Sequence, residues 1–260
     1  MYVFIRSLAG MGGGFVMIPL MTSKLLRLTQ HQAHGTSLFA VAATGVAGAL
    51  GYGFADVVDI DAAAGLALGG MITARLGAGA TSKLSPQALK RALGVFMILV
   101  SPVVPAKQYI ADNFGGINDG TETTQNAITK DSVDSYKERV TKVLPIACIG
   151  LGSGFLAGMF GVGGGAVVVP ALTIATDMNH YQALGTSLCA MSLPAIVGTV
   201  THFQKGNVIG RVAVPLAFGS FLGAYFGGRS VVGLNVPEEP MRYGFSALMF
   251  GLGTKTLLKV

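Results

Sequence analysis

The chain has 260 residues, of which 12% are charged, and its mean hydropathy is +0.61. Soluble domains carry about 25% charged residues, so this composition excludes an ordinary soluble domain, which could not cover its surface with so little charge. The net charge of +6 is spread over single basic residues between apolar runs. This pattern predicts a multi-pass integral membrane protein in contact with the lipid bilayer, and it argues against nucleic acid as a partner.

Eight apolar stretches follow one another along the chain. A helix needs about 20 apolar residues to cross a bilayer, and most of these stretches approach or exceed that length. We therefore predict an all-α membrane protein, a duplicated helical bundle of about eight transmembrane segments with glycine-broken helices. The stretches cover residues 8–21, 33–54, 62–80, 92–104, 143–175, 183–203, 208–226 and 243–258.

The stretches divide into two membrane repeats, residues 1–106 and 143–260, joined by a polar linker at residues 107–142. The linker contains NFGGINDGTETTQN, which has too little apolar surface to fold alone and predicts a mobile loop. In the first repeat, the counterpart of residues 143–151 would fall ahead of Met1. We therefore expect the first repeat to be truncated at its N-terminus.

Charged residues between the stretches predict their orientation. Basic residues follow the first and third stretches and acidic residues follow the second, so the positive-inside rule places the first and third connections in the cytoplasm. In the second repeat this bias is reversed, which favours inverted repeats, whereas four spans per repeat favour parallel ones, and both orientations stay open. The residues concerned are Lys24, Arg27, Lys83, Lys90 and Arg91 (basic), Asp56, Asp59 and Asp61 (acidic), and Lys205 and Arg211 (second repeat).

A glycine cluster followed by proline occurs twice, as GMGGGFVMIP at Gly10–Pro19 and as GVGGGAVVVP at Gly161–Pro170, with the prolines 170 − 19 = 151 residues apart. Such clusters predict paired helix breaks, where unpaired backbone N–H groups and the positive end of a restarting helix bind an anion without lysine. The alternative is close helix packing through small residues. The predicted substrate-binding glycines are Gly12, Gly13, Gly14, Gly163, Gly164 and Gly165.

A second motif is repeated as QAHGTSLFA at Gln32–Ala40 and as QALGTSLCA at Gln182–Ala190. Hydroxyl and amide groups can coordinate an oxyanion without placing a full charge in the bilayer, so the shared polar residues are candidate ligands. The alternative is that the hydroxyls bond to their own helix or to a neighbouring one. The predicted substrate ligands are Thr36, Ser37, Thr186 and Ser187, with Gln32 and Gln182 on nearly the same helix face.

Ionisable residues within or beside apolar stretches are further functional candidates. His34 could carry a coupling proton, whereas Arg75 is expected to snorkel to the interface. His202 and Lys205 mark the end of a stretch, and Arg229 is a further candidate. The motifs His-Glu-x-x-His, Gly-x-Ser-x-Gly and Cys-x-x-Cys are absent from the sequence, so we predict no enzyme activity, no catalytic residue, no metal site and no cofactor.

With these motifs the chain resembles the TauE/SafE family of membrane proteins, the sulfite-exporter or sulfonate-permease group. The resemblance rests on the two glycine–proline motifs, on HGTSL and LGTSL, and on HFQKGNVIGRVAVPLAFGSFLGAYFGG at His202–Gly228. It implies a duplicated bundle of about eight spans that moves small sulfur-containing or other organic anions. The chain departs from the Gly-x-Val-Asp pattern of the family, because Ala55 replaces its glycine in the first repeat and Gly210 its acid in the second.

We therefore expect a secondary transporter of a small, sulfur-containing anion of the sulfite or sulfonate type. No ATP-binding motif is present, so an ion gradient would drive transport, with a proton as the coupling ion. The two repeats would rock around the shared site. The alternative from another class is a membrane scaffold or assembly protein that moves nothing, in which glycine substitutions harm folding but abolish no flux.

Overall fold

The computed structural model describes residues 13–23, 26–53, 58–102, 132–176, 178–233 and 238–258. Every regular element within these residues is a helix, which confirms the all-α prediction. The elements are α1 (Gly14–Met21), α2 (Gln30–Gly53), α3 (Ile60–Thr81), α4 (Pro86–Val100), α5 (Ser132–Phe160), α6 (Gly165–Ala175), α7 (His180–Gln204), α8 (Gly210–Gly233) and α9 (Glu238–Leu258).

The helix that opens the second repeat begins inside the predicted linker. α5 starts at Ser132, so residues 132–142 are helical and the prediction of a loop there is wrong. The stretch SVDSYKERVTK contains neither Gly nor Pro, so nothing stops the helix from extending ahead of its apolar part. Residues 103–131, which include the rest of the linker, lie outside the described residues. The boundaries of the two repeats stay a prediction.

Polar side chains determine where two helices of the first repeat begin. The Asp59 carboxylate accepts a hydrogen bond from the Ala62 N–H at 2.9 Å ahead of α3, and the Ser85 hydroxyl accepts one from the Ala88 N–H at 3.2 Å ahead of α4. α4 also has Pro86 at its first position, where a missing N–H costs no hydrogen bond. These signals explain why α4 begins earlier than the apolar stretch 92–104.

Helices α3 and α5 pack against each other through small residues. A Cβ atom added at Gly154 of α5 would collide with the backbone of Gly70 of α3. The Thr73 hydroxyl adds a hydrogen bond across this contact, to the Leu151 carbonyl at 2.6 Å. Small residues let two helix backbones approach closely, and this is a common packing mode of membrane helices.

Large apolar side chains point outward from the helices whose inner faces are small. On α3, Leu68, Ile72 and Leu76 recur every four residues and are 65%, 67% and 62% exposed. On α8, Phe218 and Phe226 are 67% and 61% exposed. The buried positions of α3 are mostly alanine and glycine. Because water would not favour such an arrangement, these outer faces are suited to contact lipid.

Two of the described helices are long and apolar enough to cross a membrane by themselves, Gln30–Gly53 and Tyr181–Gln204. Both are mostly buried, because the other helices surround them. They form the centre of an all-α membrane bundle. The predicted number of about eight transmembrane segments stays a prediction.

Helices α2 and α7 meet at the centre through two matching contacts. A Cβ atom at Gly48 of α2 would lie 2.6 Å from Cδ1 of Leu188, and one at Gly198 of α7 would lie 2.6 Å from Cδ2 of Leu38. The two contacts correspond under the sequence repeat, since 198 − 48 = 150 and 188 − 38 = 150. Other helices also pack against the opposite repeat. α3 of the first repeat packs against α7 of the second, and α8 of the second packs against α2 of the first. Helices of the two repeats are therefore interleaved.

We predict that Gly154→Leu destabilises the protein, because the new side chain would have no room against the backbone of α3. The free energy of unfolding should fall by about 1–3 kcal/mol, the cost typical of an overpacked site. Thermal unfolding in detergent measures this loss. Gly152→Leu on the same helix is the control, because a Cβ atom at Gly152 would meet nothing within 4 Å. Equal melting temperatures for the two variants would contradict this packing.

Candidate functional site

The helix break predicted at the second glycine cluster is confirmed. α5 ends at Phe160, α6 begins at Gly165, and the chain between them is not helical. Gly161 and Gly163 have φ angles of +63° and +76°, in the left-handed region that other residues rarely adopt. A Cβ atom at Gly161 would also collide with the carbonyl oxygen of His34. Both conformation and space therefore require glycine at this break.

The first glycine cluster contacts the second one. Gly13 has a φ angle of +61° and precedes α1, which begins at Gly14. A Cβ atom at Gly14 would lie 2.5 Å from the Cα atom of Val162, inside the break of the second cluster. Gly12 lies outside the described residues. The two predicted glycine sites are therefore neighbours in the bundle.

The first turns of α1 and α6 have no side chain that caps them, because Gly13 and Gly164 occupy the N-cap positions. Val167 and Val168 donate their N–H groups to the Gly164 carbonyl at 2.9 Å, as the first turn of α6 requires. The N–H groups ahead of them have no acceptor within an α-helix, and they lie at the positive end of its dipole. The N-terminus of α6 is therefore suited to an anion.

A small cavity lies at the N-terminus of α6. Its volume is about 10 Å³, which is room for about one water molecule. Ser187 lines this cavity, is 1% exposed, and has a hydroxyl group without a hydrogen-bond partner among the described residues. The cavity thus joins one predicted serine to all three predicted glycines of the second cluster. The other lining residues are Val41, Gly45, Gly163, Gly164, Gly165, Leu188 and Met191.

Ser37 is the counterpart of Ser187 in the first repeat. It is fully buried, and within the described part of the chain its hydroxyl group also has no hydrogen-bond partner. It does not line the cavity at α6. Buried hydroxyl groups without partners are uncommon, so their recurrence at equivalent positions of both repeats marks these serines as candidates for ligand contact.

The two predicted threonines hold the starts of helices in the opposite repeat. Thr36 accepts a hydrogen bond from the Ile209 N–H at 3.1 Å, just ahead of α8. Thr186 accepts one from the Asp59 N–H at 3.0 Å, just ahead of α3. These bonds match the structural alternative given above, in which the hydroxyls bond to a neighbouring helix. Each hydroxyl still has its own hydrogen to donate.

The two glutamines lie on the same helices as the threonines and four residues ahead of them, and their side chains also bond at the helix starts. Their place at an oxyanion site stays a prediction. Gln32 accepts the Thr29 N–H at 3.2 Å, and Gln182 accepts the Asn179 N–H at 3.1 Å. In return, the Thr29 and Asn179 side chains accept hydrogen bonds from the backbone N–H groups of the two glutamines, at 3.3 and 2.8 Å. These reciprocal bonds form capping boxes at the starts of α2 and α7. The spacings Thr-x-x-Gln and Asn-x-x-Gln were the sequence signal for this role.

Histidines on two helices form hydrogen bonds with carbonyls at the end of α5, on the other side of the break. The sequence did not reveal this role. Nδ1 of His34 bonds to the Met159 carbonyl at 3.0 Å, and Nε2 of His202 bonds to the Gly158 carbonyl at 3.1 Å. The Thr81 hydroxyl also donates to the Met159 carbonyl, at 2.9 Å. The last carbonyls of a helix have no donor within it. Side chains from α2, α3 and α7 supply these donors at the end of α5.

The second ring nitrogen of each histidine also faces a polar group. His34 Nε2 lies 2.9 Å from the Gln30 amide nitrogen, and His202 Nδ1 lies 3.5 Å from the Asn207 amide nitrogen. Carbonyls only accept and amide nitrogens only donate, so this pattern fits a neutral imidazole whose N–H points toward α5. His34 therefore acts as a helix cap in this arrangement. Its role as a proton carrier stays a prediction.

Lys205 holds the end of α3 in a similar way. Its Nζ donates to the Ala78 carbonyl at 3.1 Å and to the Ser82 hydroxyl at 2.9 Å. A cation at a helix C-terminus is favourable because the helix dipole is negative there. Arg75 is exposed on α3, and the side chain of Arg229 is outside the described part of the structure.

A known family has a sequence model that matches residues 1–256, and its description is sulfite exporter TauE/SafE. The chain belongs to the TauE/SafE family. Three similar proteins are described as probable membrane transporter proteins. YunE of Bacillus subtilis (strain 168) is 28% identical, and the match covers 89% of this chain and 84% of YunE. MJ0441 of Methanocaldococcus jannaschii is 24% identical, with 97% of this chain and 90% of MJ0441 covered. A protein of Xylella fastidiosa (strain 9a5c) is 25% identical, with 86% of this chain and 78% of that protein covered. No solved structure matches this chain significantly.

Family membership and the helical bundle together establish the class of this TauE/SafE protein. It is an integral membrane protein and a membrane transporter, whose partners are the lipid bilayer and a small substrate. Transport, not catalysis, is the activity that this family membership indicates. The apolar outer faces of α3 and α8 agree with a location in lipid.

We predict that His202→Leu lowers the stability of the protein, because it leaves the Gly158 carbonyl without its donor. A buried polar group that loses its partner costs about 1–3 kcal/mol, which thermal unfolding in detergent detects. His31→Leu is the control, because Nδ1 of His31 is buried without a partner in the described structure. The capping role is refuted by a His202→Leu variant that melts at the same temperature as the His31→Leu variant.

Proposed function

We propose that the protein is a secondary transporter of a small oxyanion, with sulfur-containing anions such as sulfite and sulfonates as its substrates. The observation that carries the proposal is the Ser187 hydroxyl, which lies in the cavity at the uncapped N-terminus of α6 and has no hydrogen-bond partner among the described residues. An oxyanion there would accept hydrogen bonds from this hydroxyl and from the first N–H groups of the helix. The helix dipole would stabilise its charge without a cationic side chain in the bilayer.

The substrate class rests on two separate grounds. Hydroxyl and backbone N–H donors recognise oxygen acceptors. The described lining of the cavity at α6 contains no lysine or arginine, which favours a small anion over a large polyanion. The family whose model matches the chain is described as sulfite exporters, which supports a sulfur oxyanion. The alternative of a scaffold that moves nothing leaves the buried Ser187 hydroxyl without a role.

The proposed site draws on both repeats. Gly14 contacts Val162 in the break, so the N-terminus of α1 adjoins that of α6. Ser37 would supply a second hydroxyl, and the threonines their remaining hydroxyl hydrogens. The full proposed set is Gly12, Gly13, Gly14, Thr36, Ser37, Gly163, Gly164, Gly165, Thr186 and Ser187.

An oxyanion is larger than the present cavity, so its entry requires a movement. The Met191 side chain lies against the start of α6, since a Cβ atom at Gly164 would collide with its sulfur. A methionine side chain has several rotatable bonds and can vacate this space easily. Interleaved helices argue against rocking of whole repeats, because α3 and α8 each pack against the other repeat. We propose instead that the short helices α1 and α6 move.

Energy for transport would come from an ion gradient, since the sequence has no ATP-binding motif. A proton is the proposed coupling ion. Both ring nitrogens of His34 and of His202 already face polar partners, so protonation of either ring would require one of these contacts to rearrange. A pH gradient across a liposome membrane tests the coupling directly.

We predict that Ser187→Ala weakens transport without lowering stability. The Ser187 hydroxyl has no partner in the part of the chain that the structure describes, so its removal breaks no hydrogen bond there and the melting temperature should stay the same or rise. Loss of a hydrogen bond to a charged ligand costs about 1.5–3 kcal/mol, so the KM for radiolabelled sulfite in proteoliposomes should rise about tenfold or more. Ser192→Ala is the control, because the Ser192 hydroxyl donates to the Leu188 carbonyl of its own helix at 2.9 Å.

The results of this experiment test the proposed binding site and the proposed transport function separately. Sulfite or sulfonate flux that responds to a pH gradient, with a raised KM only in Ser187→Ala, supports both proposals. Flux that Ser187→Ala leaves unchanged would remove the site and keep the transporter. Folded protein that carries none of these anions under any gradient would leave the scaffold as the better account. Gly164→Ala would then harm folding alone.

A further inference from the structure

A second and much larger cavity lies between α1, α4 and α9. Its volume is about 700 Å³, a size typical of sites for whole organic ligands and far larger than a small oxyanion needs. Among the described lining residues it shares none with the cavity at α6. The cavity is lined by Val16, Ile18, Pro19, Leu20, Thr22, Ser23, Leu28, Gln30, Pro86, Gln87, Lys90, Leu93, Leu252, Lys255 and Thr256.

The charged residues in the described lining of this cavity are two lysines. Lys90 of α4 and Lys255 of α9 line it, and its described lining includes no Asp or Glu. Gln87 lies in the first turn of α4, so the positive end of that helix dipole also lies at the cavity. Lysines commonly bind phosphate as point charges. The cavity therefore favours an anionic group such as a phosphate.

The rest of the wall is suited to a hydrocarbon chain. Val16 and Leu20 of α1 and Leu252 of α9 line the cavity beside the lysines. Leu20 is also 54% exposed, so the apolar wall reaches the outer surface of the bundle. A hydrophilic anion would gain nothing from such a wall, whereas an amphiphile would bury apolar surface against it.

The expected membrane side of the cavity agrees with its chemistry. Lys90 belongs to the basic connections that the positive-inside rule assigns to the cytoplasm, together with Lys83 and Arg91. Anionic lipids give the cytoplasmic leaflet a negative surface potential. Basic pockets between membrane helices on that side bind the head groups of such lipids.

We propose that this cavity binds an anionic phospholipid, with its phosphate between Lys90 and Lys255 and an acyl chain along Val16, Leu20 and Leu252. The lipid would join α1 and α4 of the first repeat to α9 of the second. Because α1 begins at Gly14 beside the break, the bound lipid would also hold the first glycine cluster in place. This proposal does not depend on the substrate or on transport itself.

Thermal unfolding of the purified full chain in a neutral detergent tests the proposal. Phosphatidylglycerol, phosphatidylcholine or inorganic phosphate is added at the same phosphate concentration, because a ligand of the folded state raises the melting temperature as its concentration rises. We expect an increase with phosphatidylglycerol alone. Equal increases with both lipids would overturn the role of the anionic head group. An equal increase with inorganic phosphate would overturn the lipid and leave a site for free anions.

Substitution of the lysines identifies the site. In the double variant Lys90→Gln, Lys255→Gln, we expect binding of phosphatidylglycerol to weaken at least about tenfold and the increase in melting temperature to disappear. Arg91→Gln is the matched control, because Arg91 is the next residue of α4, is exposed and does not line the cavity. If the double variant does not fold, native mass spectrometry of Lys255→Gln counts retained lipid. Retention equal to that of the unmodified protein would overturn the proposal.

Discussion

The interruption of one helix between α5 and α6 is the constraint on which the rest of the structure depends. A break within a bilayer leaves carbonyls at one helix end and N–H groups at the other, and lipid offers neither a hydrogen bond. On the carbonyl side, His34, Thr81 and His202 supply the missing donors from three different helices. On the N–H side, Gly164 cannot cap, and the nearby Ser187 hydroxyl has no partner in the described structure. Within the described residues, the carbonyl end of the break thus receives side-chain donors, whereas the N–H end has no side-chain cap.

Much of the fold could be predicted because its causes are local. Low charge indicated the membrane, and the glycine cluster at Gly161–Gly165 indicated the break, since glycine tolerates the left-handed φ angles found there. The role of His34 could not be predicted, because its carbonyl partner on Met159 is 125 residues away in sequence. A histidine on an apolar helix has the same local sequence whether it carries a proton or caps a distant helix. The capping role of Gln32 was missed because helical periodicity drew attention to its place beside Thr36, although a helix-start signal also contained it.

The sequence repeat indicated which residues are structurally or functionally important, but it did not indicate which residues they contact. Thr36 and Thr186 recur in matching motifs, and the structure pairs each of them with a helix start in the opposite repeat. A further contact between the two repeats places Gly14 of the first cluster against Val162 of the second. A site made where the two clusters meet would come apart when α1 and α6 separate, so binding and movement would involve the same few glycines.

These exchanged contacts have a consequence for biosynthesis. The Asp59 N–H bonds to a threonine that lies 127 residues further along the chain, and Ile209 bonds to one that lies 173 residues earlier. A ribosome delivers α3 to the membrane before α5 and α7 exist, so the face around Gly70 stays open to lipid until they arrive. The nascent first half therefore lacks the partners for these contacts until the second half is made. Completion of translation, more than insertion of the early helices, is the step at which this bundle can close.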